Sequence, residues 1–208
     1  MALTIVIEFY KGASVIAAKS GMNLLAATVE LTHRNTRRYG GYLVHMGIVL
    51  MFIGFTGHAF NQNEVKELNI GDTMRIGAYT LKMTDLKNGD YENYSWNRAI
   101  MQVSKGGEII GTLEPEKRFY KASRQGTSEV GLRARLNEDL YLNFAGVSTD
   151  NQRAVVQAYV FPLVSWIWIG FWVLAMGTIV CLIPSKVRLS YARTQVLGMA
   201  EKHAKVTS

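Results

Sequence analysis

The sequence predicts a membrane α plus β fold: two complete transmembrane helices flanking an antiparallel β-rich periplasmic domain, with a partial membrane helix at the N-terminus. Three observations predict it. Two long uncharged apolar runs lie at 42–60 and 159–183. Between them the chain changes to short alternating runs punctuated by Gly, Asn and Asp. The charges are divided unevenly about both runs.

The opening residues 1–10 are apolar, lack a basic start and carry Glu8, which argues against a cleaved leader and for the tail of a membrane helix that begins upstream. Residues 11–38 form a basic cytoplasmic or interfacial loop. Within it Met22, Leu25, Ala26 and Val29 recur at helical spacing, while Gly12 and Gly21 divide the segment, so one interfacial helix and two short pieces are both compatible.

The first span is expected over 39–60. Its apolar part has 19 residues, close to the ~20 that cross a hydrocarbon core of ~30 Å. The β-rich domain comes next, over 61–158, with alternating runs at 74–83, 99–103 and 140–144 and turn signals at 69–72, 88–89, 106–107 and 126. The second span, 159–183, has 25 residues without a charge, enough to cross with some tilt. A cytoplasmic basic tail occupies 184–208.

Orientation is set by charge. Before the first span five basic residues stand against Glu8 and Glu30; after the second, five stand against Glu201; the segment between has 13 basic and 13 acidic residues. The formal +7 therefore resides in the two flanks, which places both in the cytoplasm by the positive-inside rule. The same division excludes nucleic-acid binding, which needs a basic patch on one folded surface. Cys181 is the single cysteine, so neither an internal disulfide nor a cysteine zinc site can form. Phosphate loops, nucleophile elbows and Cys-x-x-Cys-His are absent from the sequence.

Of the four histidines, His33 and His203 lie in polar surroundings. His45 lies inside the first span, about four residues from Tyr42 and so ~6 Å deep. An ionisable group there faces a protein interior or a pathway. Two readings stand: a hydrogen bond to a neighbouring helix carbonyl, or ligation of haem iron by the neutral imidazole. Gly41, Val49, Phe52 and Thr56 fall within ~40° of His45 around the helix. Gly41 would permit the close approach of a flat ring and Phe52 would pack on it; Gly47 and Gly54 lie opposite, suited to helix packing. His58 lies ~20 Å further along and cannot share an iron with His45 through this helix. Trp166, Trp168 and Trp172 read as interfacial anchors.

The stretch at 35–47, NTRRYGGYLVHMG, with its apolar continuation to Phe60, resembles a late transmembrane segment of the CcmF-type cytochrome c haem lyases. The order of the downstream segments is also similar: a β domain containing Glu116-Lys-Arg-Phe-Tyr120 and Asp139-Leu-Tyr141, then Val164-Ser-Trp-Ile-Trp168 opening the last span. The resemblance covers essentially the whole chain. It implies a C-terminal part of a haem lyase of the bacterial inner membrane that supports haem attachment to apocytochrome c. It further implies an internal haem b, with His45, in the Tyr-x-x-His-x-Gly setting, as one axial ligand to the haem iron and with Gly41 and Phe52 beside the ring. The second ligand would come from an earlier helix. The implied partners are the missing N-terminal part of the lyase, a CcmE-type haem chaperone, a CcmH-type subunit, apocytochrome c and the lipid membrane. No residue here matches the family's haem-attachment motif, so catalytic residues stay unassigned and activity of this chain alone is not expected. The competing expectation is a non-catalytic, membrane-anchored β-rich interaction module.

Overall fold

A computed structural model describes residues 1–148 and 153–184; His203 and the charges expected to orient the tail lie outside the described residues. The described residues divide into two compact units, one comprising 1–52 and 167–184, the other Ile53–Trp166.

In the first unit, helix α1 (Ala2–Ser20) continues through the residues read as a membrane-helix tail. It ends at Gly21, which adopts a left-handed conformation (φ 68°) and donates its N–H to Ala17 O. The Asn23 side chain then caps α2 (Leu24–Arg34), accepting from Ala26 N at 2.8 Å. Of the two glycines, only Gly21 breaks the helix. Gly12 stays helical, and its bare backbone admits Leu31, whose side chain a Cβ there would meet at 2.7 Å. The cluster packed between these helices is Ala13, Ile16, Ala27, Leu31 and Tyr39. Met22 falls in the link, and Leu25, Ala26 and Val29 are exposed, so the expected apolar stripe is not the packed one.

Helix α3 (Thr36–Thr56) and helix α4 (Val164–Leu182) are each long and apolar enough to cross a membrane. Glycines bring their backbones together. A Cβ on Gly47 would lie 2.6 Å from Leu174 N, one on Gly170 2.6 Å from Gly47 O, and one on Gly177 2.6 Å from Val44 N. Small residues at a helix contact allow this approach. The Thr36 hydroxyl closes one end, donating to Ile183 O at 2.7 Å.

The second unit is an antiparallel β-sandwich. One sheet runs in the order β1 (Gln62–Leu68), β10 (Ala154–Pro162), β9 (Glu138–Val147), β8 (Gly131–Arg133). The other runs β2 (Thr73–Ile76), β3 (Tyr79–Asp90), β4 (Tyr94–Lys105), β6 (Glu116–Tyr120), β7 (Gln125–Glu129), with β5 (Glu108–Leu113) also paired to β4. Their inward faces meet through Leu68, Leu81, Met83, Met101, Leu142 and Phe144, all at 0% exposure. Alternation along β9 and β10 produces this burial, every second residue pointing to the core.

Three sequence expectations change. The run at 74–83 is two strands folded on each other, Ile76 opposite Tyr79, because Gly77 (φ 53°) turns the chain. The signals at 88–89 and 126 lie within strands: Gly89 sits opposite Trp96, whose indole covers the space a Cβ would take, and Gly126 pairs with Phe119. Residues 159–162, read as the start of the second span, belong to β10 and pair with 138–141, since Tyr159 and Phe161 alternate on one face beside Tyr141. Leu163, with φ 61°, separates the strand from α4.

Candidate functional site

The site is built on α3. Its glycine side, Gly40 and Gly47, is closed against α4, because a side chain at either would meet backbone atoms within 3 Å. Its other side is open. His45 is exposed, and among the described residues its imidazole makes no hydrogen bond. Nothing lies within 4 Å of the position a Gly41 Cβ would occupy. Phe52 is 64% exposed. The periodicity that separates these three from Gly47 thus produces a two-sided helix, packed on one side and presenting a single imidazole between a gap and an aromatic ring on the other.

That arrangement can supply one imidazole nitrogen to a planar group. Among the described residues no three His, Cys, Asp or Glu side chains converge as a metal site. His58 is exposed in a short 3-10 turn (Gly57–Phe60) beyond α3. His33 helps line an apolar groove of about 350 Å³, together with Phe9, Val29, Leu43 and Val180. The exposed Trp168 and Trp172 indoles lie along α4. Arg38, one of the five basic residues before the first span, pairs with Glu8 at 2.8 Å and lies over Tyr42.

The β-sandwich holds a polar cluster that sequence reasoning did not isolate. On the outer face of β4 and β6, Arg98 stands opposite Glu116 and Trp96 opposite Arg118. The Glu116 side chain is 4% exposed. It accepts from Arg98 Nη2 at 2.6 Å and from Arg118 Nε at 2.6 Å. Burial alone would raise its pKa, but hydrogen bonds from Arg118 and Arg98 outweigh that and hold it below its ordinary value. Arg98 also lies 4.8 Å above the Trp96 ring, and Arg118 5.4 Å above Tyr94. The period-2 spacing of Trp96 with Arg98, and of Glu116 with Arg118, carried the signal; their cross-strand pairing required the register.

A family model described as the CcmF C-terminal beta-sandwich matches residues 59–162. The chain is 30% identical over 184 residues to the cytochrome c-type biogenesis protein CcmF of Haemophilus influenzae, covering 80% of this chain and 28% of that protein. Against CcmF of Pseudomonas aeruginosa it is 30% identical over 174 residues, 81% of this chain and 26% of the relative. Against CycK of Rhizobium meliloti it is 29% identical, with 84% and 26% covered. The chain therefore spans about a quarter of the length of these relatives. The solved structure titled Cytochrome c Heme Lyase CcmF shares the fold at a TM-score of 0.63 and 18% identity, over 88% of this chain and 34% of that one. With its sandwich matched from first strand to last, the chain belongs to the CcmF family of cytochrome c biogenesis proteins and corresponds to their C-terminal part.

Proposed function

We propose that this chain serves as the C-terminal part of a cytochrome c haem lyase, supporting haem attachment to apocytochrome c through an internal haem b ligated in part by His45. The observation that carries the reading is the two-sided α3: its glycine side is consumed by α4, while the opposite side presents the imidazole beside the Gly41 gap and the Phe52 ring. These residues fit the group. A neutral imidazole is a suitable axial donor to haem iron, and a bare glycine and an aromatic ring suit a flat macrocycle. Bound there, the haem would supply electron transfer to the incoming haem iron. The protein's part would be to hold the haem through the His45 imidazole, with Gly41 and Phe52 beside the ring.

In this reading α3 and α4 span the bacterial inner membrane, the sandwich lies in the periplasm and the basic flanks in the cytoplasm. Two apolar helices and the distribution of Lys and Arg support that placement. The remainder of the lyase supplies the second ligand. A CcmE-type haem chaperone, a CcmH-type subunit and apocytochrome c are the proposed partners, with the sandwich as their contact region.

The test is a reduced-minus-oxidised haem spectrum of the assembled lyase purified from membranes, for wild type and His45→Ala. A b-type signal lost in the variant at unchanged protein level is expected. A wild-type complex that is folded, binds its partners and shows no haem signal would instead favour the non-catalytic interaction module.

A further inference from the structure

The sandwich contains a second feature, where β8 and β9 meet the end of β4. A cavity of about 460 Å³ is lined by Tyr79, Lys105, Arg133, Arg135, Leu136 and Glu138, among others. Three cations thus face one carboxylate. Glu138 is already neutralised by Lys105 at 2.6 Å. Arg133 holds Ile110 O through one Nη at 2.9 Å, which leaves its other donors for a ligand. The Arg135 side chain is exposed and makes no hydrogen bond or ion pair among the described residues. Behind it, the buried Asp139 carboxylate accepts from the Arg135 backbone N–H at 2.9 Å and the Ser165 hydroxyl at 3.5 Å. The cavity therefore offers two guanidinium groups, planar forks that match an oxyanion.

Its position narrows the source of that anion. The loop carrying Arg135 and Leu136 is tied to the first turn of α4: Ser165 Oγ donates to Arg135 O at 3.0 Å and Trp166 Nε1 to Leu136 O at 3.0 Å. Leu163 N donates to Asn137 O at 2.9 Å. If α4 spans the membrane, its first turn lies at headgroup depth, where Trp residues concentrate. The two arginines then stand where lipid phosphates lie, Arg135 on a loop tied to the first turn of α4 by the Ser165 and Trp166 hydrogen bonds.

We propose that this cavity binds the phosphate of an anionic lipid headgroup, with Arg133 and Arg135 as its binding residues and Lys105 as the group that keeps Glu138 from repelling it. The inference rests on the membrane placement of α4 proposed above.

The test uses the assembled lyase in detergent. Bound phosphatidylglycerol and phosphatidylcholine are counted by native mass spectrometry for wild type, for Arg133→Gln with Arg135→Gln, and for Lys121→Gln outside the cavity. Loss of two charge-assisted hydrogen-bonding groups should weaken phosphatidylglycerol retention roughly tenfold or more. Phosphatidylcholine and the Lys121→Gln control should be unaffected. Equal retention by the double variant, with an unchanged melting temperature, overturns the proposal. Displacement of the lipid by an equal concentration of inorganic phosphate overturns the lipid as the source and assigns a free phosphate instead. A separate arm isolates the membrane reading: in a Cys181→Ala background, Ser123→Cys should react with an impermeant maleimide applied from the periplasmic side. Its failure to react removes both readings, whereas labelling without lipid preference removes this one alone.

Discussion

Replacing Glu116 by Ala is the perturbation whose size the structure defines best. The carboxylate accepts from two guanidinium groups through three contacts, Arg98 Nε at 2.7 Å, Arg98 Nη2 at 2.6 Å and Arg118 Nε at 2.6 Å. Hydrogen bonds to charged groups contribute about 1.5–3 kcal/mol each. Breaking a fully buried pair costs about 3–5 kcal/mol. The acid here is 4% exposed, but its partners are 35% and 31% exposed, so water takes up much of what they lose. Arg98 also keeps Glu114 at 3.2 Å, and Arg118 keeps Glu129 at 3.4 Å. The discounted loss is about 2 kcal/mol, which in a domain of this size lowers the melting temperature by roughly 10 °C. Thermal unfolding of the whole chain in detergent, followed by the β-sheet signal in far-UV circular dichroism, measures it. Glu116→Gln should lose about half as much, because an amide oxygen still accepts. A shift within about 2 °C for Glu116→Ala would refute the claim that this cluster stabilises the sandwich.

Acid should weaken the sandwich through the same carboxylate. Glu116 has its pKa lowered from 4.5 in the folded chain, so its contribution is complete above that value and is lost as pH falls through the folded pKa. The melting difference between wild type and Glu116→Gln should therefore shrink below about pH 4.5. Glu138, whose pKa is lowered first by the hydrogen bond from Lys105, adds acid sensitivity of the same sign, and Lys105→Met should reduce it in an acid titration of stability. Gly47→Leu must push α3 from α4, since even its Cβ would lie 2.6 Å from Leu174 N; the variant should lose its single peak in size exclusion, whereas Gly41→Ala should keep it. Gly77→Val should destabilise the β2–β3 turn by about 1–2 kcal/mol, read as a lower urea midpoint, because φ 53° suits glycine.

Much of the fold was legible because period and charge are local signals. The alternation at 99–103 and 140–144 placed β4 and β9, and the uncharged runs placed the two long helices. Glycines were the least legible residues. Gly12, Gly89 and Gly126 read as breaks, yet each lies within an element; Leu31 packs on the first and Trp96 on the second, while the third is paired with Phe119. A glycine marks either a turn or a close neighbour, and only the neighbour's position distinguishes them. Tyr159 and Phe161 were equally ambiguous, since an apolar aromatic stretch suits both a strand and a span until its partners Tyr141 and Asp139 are known. At the candidate site, His45 stood out because an imidazole inside an apolar run is costly. The cluster around Glu116 is assembled by cross-strand register, to which a linear pattern is blind.

The pairing of β1 with β10 has a consequence for how the chain is made. The register joins Gln62 to Val160 and Leu68 to Ala154, so in the sheet the earliest strand of the sandwich pairs only with the latest. At ~5–20 residues per second, roughly 90 intervening residues take about 5–20 s to synthesise. Throughout that wait β1 is a bare edge, open to pairing with any passing strand. Its sequence, QNEVKEL, has three charges in seven residues and exposes six of them in the finished domain. The charge that decorates this strand at the end is also what keeps it solitary until its partner emerges.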